Sequence, residues 1–535
     1  MNLLPQELIC EICVHLNDED LRTASFVSTR FRSAAENCAS GHRQHVVKYP
    51  TEKRFLARYS GFRHRYIKEI HFTVRVPLAD YERGCQRERL SEQNARDSAF
   101  TDQVRELFVA LVKVGLQAGA RNPGTYHLSI LCSSRHVLPD VCPHGDHAYR
   151  RTHLLEHDTM PILGSVRSLE LQNVEPGIKL GYRVLLDLIT HFPNLENIAF
   201  HTGTDDWTPS YEREPALLYP WEYDGLRRDT RHDFSDAMAN WTIPCNLKRV
   251  NLDFICSRGM TGADGVHHWH SQPNLVSPAI ADPFSRSLHV LSHHLREIIL
   301  RAQIDESFFW PHDDSTPTWP NLEQFFIMFH MVAPSGSWYF EGPRGEGRDL
   351  SGHALDEDSY PSDNDDEDYC PSDERDRSFE EYTTFWFRVS PNIKVLRPLL
   401  LGFAKAAANM PTLKQAVLWA PLKWYPDGDD DYDGAMFDYF QGPDNAYSDE
   451  FAWGVAYCCP GEYAFIETND NRPKCKIRHL GWEVGNWRPD PSLAEAFREI
   501  GRAEHGNDLD EVFARGDTHS LTYRYKCEEF VPRVE

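Results

Sequence analysis

A six-residue pattern recurs along this chain, with apolar residues in its first, fourth and sixth places. It begins as Ile67-Lys68-Glu69-Ile70-His71-Phe72 and returns over Val166–Leu171, Leu195–Phe200, Leu247–Leu252, Leu295–Leu300, Leu322–Ile327, Leu413–Leu418 and Ile477–Trp482. The fourth and sixth places are two apart, the period of a strand with one face buried. Several occurrences are introduced by the same phrase: Phe192-Pro193-Asn194-Leu195, Trp319-Pro320-Asn321-Leu322 and Met410-Pro411-Thr412-Leu413. Between them, Tyr182–His191, Phe284–His293 and Val395–Asn409 carry helix-like patterning. Short strands alternating with helices predict an α/β body, in which each helix carries the chain back to start a parallel neighbour.

The pattern resembles a degenerate leucine-rich repeat, which implies parallel strands stacked into a curved sheet. Separations of 29 residues (166 to 195) and 27 (295 to 322) match a unit of roughly 20–29 residues. Separations of 52, 48, 91 and 64 elsewhere call for inserted loops or further repeats, and an ordinary α/β domain sharing the pattern stands as the alternative. If Ile198 and Phe200 point inward, the period of two turns Asn197, Ala199 and His201 to the opposite face. The same alternation assigns to that face Arg249, Asn251 and Asp253; Glu297, Ile299 and Arg301; Gln324, Phe326 and Met328; and Gln415, Val417 and Trp419. An apolar stripe at exposed positions marks a partner site, so Arg249, Ile299, Arg301, Phe326, Met328 and Trp419 are the expected substrate-binding residues. Cover by the chain's own loops is the competing expectation.

The N-terminal forty residues follow another rule. Leu8, Ile12 and Leu16 recur once per turn with Leu4 just ahead, and Pro5 suits the first position of a helix. Asn17 stands as an N-cap before Asp18-Glu19-Asp20-Leu21, whose acids suit the positive end of a second helix dipole. Ser28 stands as the cap of a third helix running on through Phe31-Arg32. Three helices of this size bury too little surface to be stable alone and must dock on something.

Leu4-Pro5, Glu7-Leu8, Ile12, Leu16, Asp20-Leu21, Val27-Ser28 and Phe31-Arg32 closely resemble the F-box over positions 3 to 40. Cys10 and Cys13 depart from that family's larger aliphatics. The resemblance implies that Leu4, Pro5, Glu7, Leu8, Ile12, Leu16, Leu21, Val27 and Phe31 dock on the Skp adaptor, and through it on a cullin, while the body presents a protein substrate for ubiquitination. A scaffold that pairs with the adaptor without directing degradation is the alternative. Phe385-Trp386-Phe387-Arg388-Val389-Ser390-Pro391, with the helix after it and Met410-Pro411, is similar to F-box proteins abundant in filamentous fungi. The expected fold is thus α/β, with a three-helix F-box (1–40), a junction (41–65) and an irregular leucine-rich-repeat-like body (66–535); the excess of bases over Arg54–Arg89, around Arg63-His64-Arg65, reads as a solvated face near the junction.

The formal charge of −25 is concentrated. Residues 356–376 hold eleven acids against Arg375 alone, and 427–433 hold five aspartates with no base. The first run lies in a stretch rich in Gly, Pro and Ser (341–378), which reads as a disordered insertion because it has little apolar surface to offset its ordering entropy. The net acidity argues against a nucleic-acid partner. Thirteen scattered cysteines, with no signal-peptide pattern and no apolar run of membrane-spanning length, predict a cytoplasmic or nuclear protein with reduced thiols and no membrane association.

No phosphate loop, dinucleotide fingerprint, nucleophile elbow, kinase, zincin or calcium signature is present in the sequence. Cys132, Cys142, His144, His147 and His153 cluster in sequence, as do His267, His268 and His270, but neither group offers the two close pairs of a structural zinc site. Cys10 and Cys13 form one pair without a second, and Asp429-Asp430-Asp431 reads as a flexible acidic loop. No catalytic residue, metal or cofactor is expected.

Overall fold

The computed structural model describes residues 4–39, 43–47, 53–59, 61–75, 89–133, 150–173, 179–201, 223–255, 268–269, 271–311, 316–361, 386–424, 450–464 and 474–514. Its first three helices are α1 (Gln6–Val14), α2 (Asp18–Ala24) and α3 (Thr29–Cys38). Both expected caps form: the Asn17 side chain accepts from the amides of Glu19 and Asp20 at 3.0 and 2.9 Å, and Ser28 Oγ accepts from Phe31 N at 3.2 Å. Pro5 sits one place ahead of α1, where its carbonyl accepts from Ile9. A small core of Ile9, Cys13, Leu21, Ala24, Ala34 and Ala35 joins the three helices. The thiol of Cys13 is therefore a central packing element, and small residues there let α1 and α3 approach closely.

The body begins earlier than expected. β1 (Gln44–Val47) is the first strand of the sheet and pairs in parallel with β2 (Glu69–Arg75), while α4 (Lys53–Tyr59) contributes Phe55 and Tyr59 to the main core. Much of 41–65 thus belongs to the body, and of the three bases read as a solvated face only Arg65 is exposed. Arg63 grips the buried carboxylate of Glu36 with two hydrogen bonds of 2.7 and 3.0 Å, and the hydroxyls of Ser33 and Tyr66 meet beside it. His64 is buried and hydrogen-bonds Asn122 O through Nδ1 at 2.9 Å; burial pushes its pKa down. The contacts of Arg63 with Glu36 and of Tyr66 with Ser33 dock α3 on the body.

The strands that follow are β3 (Tyr126–Ser133), β4 (Val166–Asn173), β5 (Asn197–His201), β6 (Arg249–Asp253), β7 (Glu297–Ala302), β8 (Gln324–Phe329), β11 (Gln415–Lys423), β12 (Glu450–Cys458), β13 (Arg478–Glu483) and β14 (Leu509–Phe513), with a small antiparallel pair, β9 (Phe340–Glu341) and β10 (Ser390–Pro391), between β8 and β11. Among the described residues the main sheet has twelve strands stacked in chain order, parallel except at β11–β12 and β12–β13. Its helices are α5 (Leu90–Ala118), α6 (Arg183–Ile189), α7 (Asp224–Asn240), α8 (Pro283–Ser292), α9 (Ile393–Ala408), α10 (Pro491–Arg498) and the short α11 (Arg502–His505). Register places Leu128, Leu169, Ile198, Val250, Ile298, Phe325 and Ala416 side by side across the sheet, all buried. Phe403 of α9 stacks on Phe325 of this row at 5.5 Å, and Phe284 of α8 meets Phe254 at 5.0 Å.

The pattern's first place is structural too. Leu195, Leu247, Leu295 and Leu413 each donate to the carbonyl three residues back, closing the turn that enters the strand, and each is buried. Its second place lines up Arg167, Glu196, Lys248, Arg296, Glu323 and Lys414 along the edge, and charges of opposite sign meet at 3.8, 3.3, 2.5 and 2.7 Å. At such exposure these pairs add little stability, but they reinforce the register.

The acidic insertion is corrected over its first half. Residues 341–361 are packed: Arg348 holds Glu341 bidentately, Ser271 Oγ donates to Ser351 O, and Tyr360 lies against Gly225 with its hydroxyl donating to Asp229 at 3.2 Å. The Tyr360 ring and the buried Ser359 supply contacts that the acidic composition obscures. The rest of that insertion, including 362–378, lies outside the described residues, as do the acidic loop at 427–433 and Cys142, His144, His147, His267 and His270.

Candidate functional site

Two surfaces bear the residues singled out from the sequence. On the N-terminal unit, Pro5, Glu7, Leu8, Ile12 and Val27 are exposed, and Leu4, Leu16 and Phe31 are half-buried against the small core. Leu21 is buried, so it holds α2 on its neighbours and is not available to a partner. Alternation by full turns put Leu8 and Ile12 on one face of α1; the face turned to the core is instead that of Ile9 and Cys13.

Two further apolar residues stand out in solvent, Val14 and Phe26. Phe26 is the more telling: an aromatic just ahead of a capped helix, where neither helix has a use for it. Arg30 ties the beginnings of α1 and α3 together, donating to Leu4 O at 2.6 Å and to the Gln6 side chain at 3.2 Å. Leu8 and Ile12 on α1, and Phe26 and Val27 between α2 and α3, are thus apolar side chains left in solvent on a unit that already has its own core. Exposed clusters of this kind mark binding surfaces.

The second surface is the sheet face opposite the helices. The expected apolar stripe is not exposed there. Ile299, Phe326, Met328 and Trp419 are all buried, and Arg301 donates to the buried carboxylate of Asp253 at 2.8 Å. Arg249 is the most open of the set and lies 3.5 Å from Glu297, its register partner. The reason was present in the strands. β8 reads Gln-Phe-Phe-Ile-Met-Phe, a continuous apolar run, which is how strands covered on both faces read. Part of the cover is Trp386, whose ring lies 4.0 Å from Lys423 Nζ on the same face of β11 as Trp419.

β2 and β5 behave differently, alternating buried and half-exposed residues. The face is therefore partly exposed at its N-terminal end, where Glu69, His71, His127, Glu170, Asn197 and His201 are half-exposed around the buried Ser168 in adjacent register. His127 bridges two of them, with Nδ1 3.0 Å from Ser168 Oγ and Nε2 3.4 Å from Glu170 Oε2. That hydrogen bond from His127, helped by Ser129 and opposed by burial, pulls the Glu170 carboxyl down to about 2. His71 Nε2 stands 3.4 Å from Glu69 Oε2. The result is a row of imidazoles and carboxylates on a rigid platform, suited to hydrogen-bonding a polar partner. Among the described residues no three His, Cys, Asp or Glu side chains converge so as to hold a metal ion. Nor is any helix among them long and apolar enough to cross a membrane.

The F-box domain model matches residues 1–43 of the chain, the unit whose apolar surface has just been described. No curated protein matches the chain.

Proposed function

We propose that this protein is a substrate-recognition adaptor of a Skp–cullin–F-box ubiquitin ligase. The observation that carries the reading is the exposed apolar surface of Leu8, Ile12, Phe26 and Val27 on a unit that the F-box domain model matches. Such a surface is stable in water only as a small patch, and covering it with a Skp-type adaptor removes it from solvent. The body then acts as a rigid, leucine-rich-repeat-like spacer and platform, and the protein performs no chemistry itself. Its contribution to rate is the effective concentration of a substrate lysine near a charged ubiquitin carrier held elsewhere in the assembly. The open end of the sheet face, with His71, His127, Glu170 and His201, is where a protein substrate is received, in the cytoplasm or nucleus. We read the chain as of the filamentous-fungal type of F-box protein, which its Phe385–Pro391 segment resembles.

The test is capture of the partners. Full-length protein and protein lacking residues 1–43 are expressed in the same cells and isolated under identical conditions. Recovery of a Skp adaptor and a cullin with the full-length chain, and of neither with the truncated one, is the expected result. An adaptor recovered without a cullin would favour the scaffold role, and neither partner with the full chain would overturn both.

A further inference from the structure

We propose that Cys458 and Cys475 are a built oxidation site, a dithiol that low-molecular-weight disulfides convert to an intramolecular disulfide. Cys458 is the last residue of β12 and Cys475 stands just before β13. Their sulfurs are 3.0 Å apart, each thiol within reach of the other as a hydrogen-bond donor. A bonded pair needs about 2.05 Å, so closure requires a side-chain adjustment and no rearrangement of the strands.

The backbone on both sides fixes that proximity. After Cys458 the chain reverses through Pro460-Gly461-Glu462, and Gly461 adopts φ +94°, a conformation that residues with a Cβ rarely hold. Gly461 N donates to Cys475 O at 2.7 Å and Cys475 N donates to Glu462 O at 2.8 Å, while Tyr463 and Lys474 pair antiparallel beside them. Cys475 is thus sewn to the turn that immediately follows Cys458. The two thiols also differ in access, Cys458 being buried and Cys475 half-buried. The hydrogen bond with Cys475, together with burial, raises the Cys458 pKa well above that of a normal thiol. It stays protonated and inert until its neighbour is modified.

The chemistry follows from this asymmetry. The Cys475 thiolate attacks one sulfur of a small disulfide, forming a mixed disulfide and expelling one small thiolate. Cys458 gives up its proton to solvent as its sulfur attacks Cys475 Sγ, and the second small thiol leaves. The protein loses two hydrogens, and one small disulfide becomes two thiols. The cross-link then closes the loop between β12 and β13 and restricts the unfolded chain.

The experiment uses the full-length protein equilibrated in glutathione buffers of increasing oxidised fraction, then alkylated and digested without reduction. The expected product is a Cys458–Cys475 linked peptide pair that dithiothreitol abolishes, and a melting temperature a few degrees higher in the oxidised protein. Cys459→Ser should leave the linkage intact, since the Cys459 thiol is turned to Pro460 O. Cys458→Ser should instead accumulate one glutathione on Cys475. Both residues alkylated as thiols at every glutathione ratio, a stable glutathione adduct on Cys475 of the unmutated protein, or linkage through Cys459 would each overturn the proposal.

Discussion

The apolar surface of the F-box unit allows a quantitative test of adaptor docking. Fully burying a Leu, Ile or Phe side chain from water is worth about 1.5–3 kcal/mol. In this chain Leu8 is 51% exposed, Ile12 43% and Phe26 83%. Scaling by the area still available to cover, Leu8 and Ile12 contribute about 0.7–1.5 kcal/mol each, and Phe26 about 1.2–2.5 kcal/mol, if a partner seals them completely. Alanine retains the Cβ, so the triple change Leu8→Ala, Ile12→Ala, Phe26→Ala should remove about 2–4 kcal/mol, a loss of roughly 30- to 1,000-fold in affinity. Titration calorimetry of the full-length protein with a purified Skp adaptor reads this directly. Since these side chains lie outside the small core, the far-ultraviolet circular dichroism and melting temperature should not change. Leu21→Ala is the contrasting variant: it opens a cavity between α2 and α3, so any loss of adaptor binding should come with loss of helix. An affinity within threefold of the unmutated protein, with the fold intact, would refute the assignment of this face.

Three other outcomes follow from the body. Arg388 is buried, donates to His268 O, Phe340 O and Gly347 O at 2.8–3.0 Å, and lies 4.0 Å from the Trp338 ring; burial, opposed by the Glu341 charge, pulls its pKa down to about 9. Arg388→Leu orphans three carbonyls at about 1–3 kcal/mol each, less the charge no longer buried, and should lower the chemical-denaturation midpoint by an amount equivalent to about 3 kcal/mol; an unchanged midpoint would disprove its bridging role. His293 packs against Trp319 and donates to His289 Nε2, whose Nδ1 is engaged by Phe308 O, and burial with the neighbouring His289 and His294 lowers its pKa from 6.5 to about 4. The unfolded state therefore binds more protons than the folded state between those values, so stability falls as pH drops from 6.5 toward 4. His293→Gln should show a shallower decline in melting temperature across that window, and identical slopes would argue against the shift. Replacing residues 345–361 by a short Gly-Ser linker should lower the melting temperature by several degrees, because Glu341 loses Arg348, and Arg228 and Asp229 lose Tyr360; no change would return the whole segment to the status of a dispensable insertion.

Much of the architecture was already written in local patterns. The caps Asn17 and Ser28, the helices at 183–189, 283–292 and 393–408, and eight strands could be read because each depends on groups within a turn or two of itself. The apolar places of the six-residue pattern mark the buried ladder and the turn that enters each strand, so parallel strands arriving by such a turn are visible. β12 was not, since it arrives antiparallel and needs no such turn; β1, β3 and β14 have His42, Thr125 and Asp508 where the pattern's first place calls for an apolar residue. Which face of α1 meets the core could not be read from spacing alone, because Leu8–Ile12 and Ile9–Cys13 have the same period, and only the approach of α3 selects the second pair. The same holds for the sheet. Period two assigns residues to a face, but whether that face is open depends on what the rest of the chain lays over it. Tertiary packing buries Phe326, Met328 and Trp419 and leaves His71, His127 and Glu170 accessible, a choice made by segments far away in sequence. It also brings Cys475 back to Cys458 across a turn that depends on Gly461, a proximity set by long-range backbone pairing and not by the spacing of two cysteines.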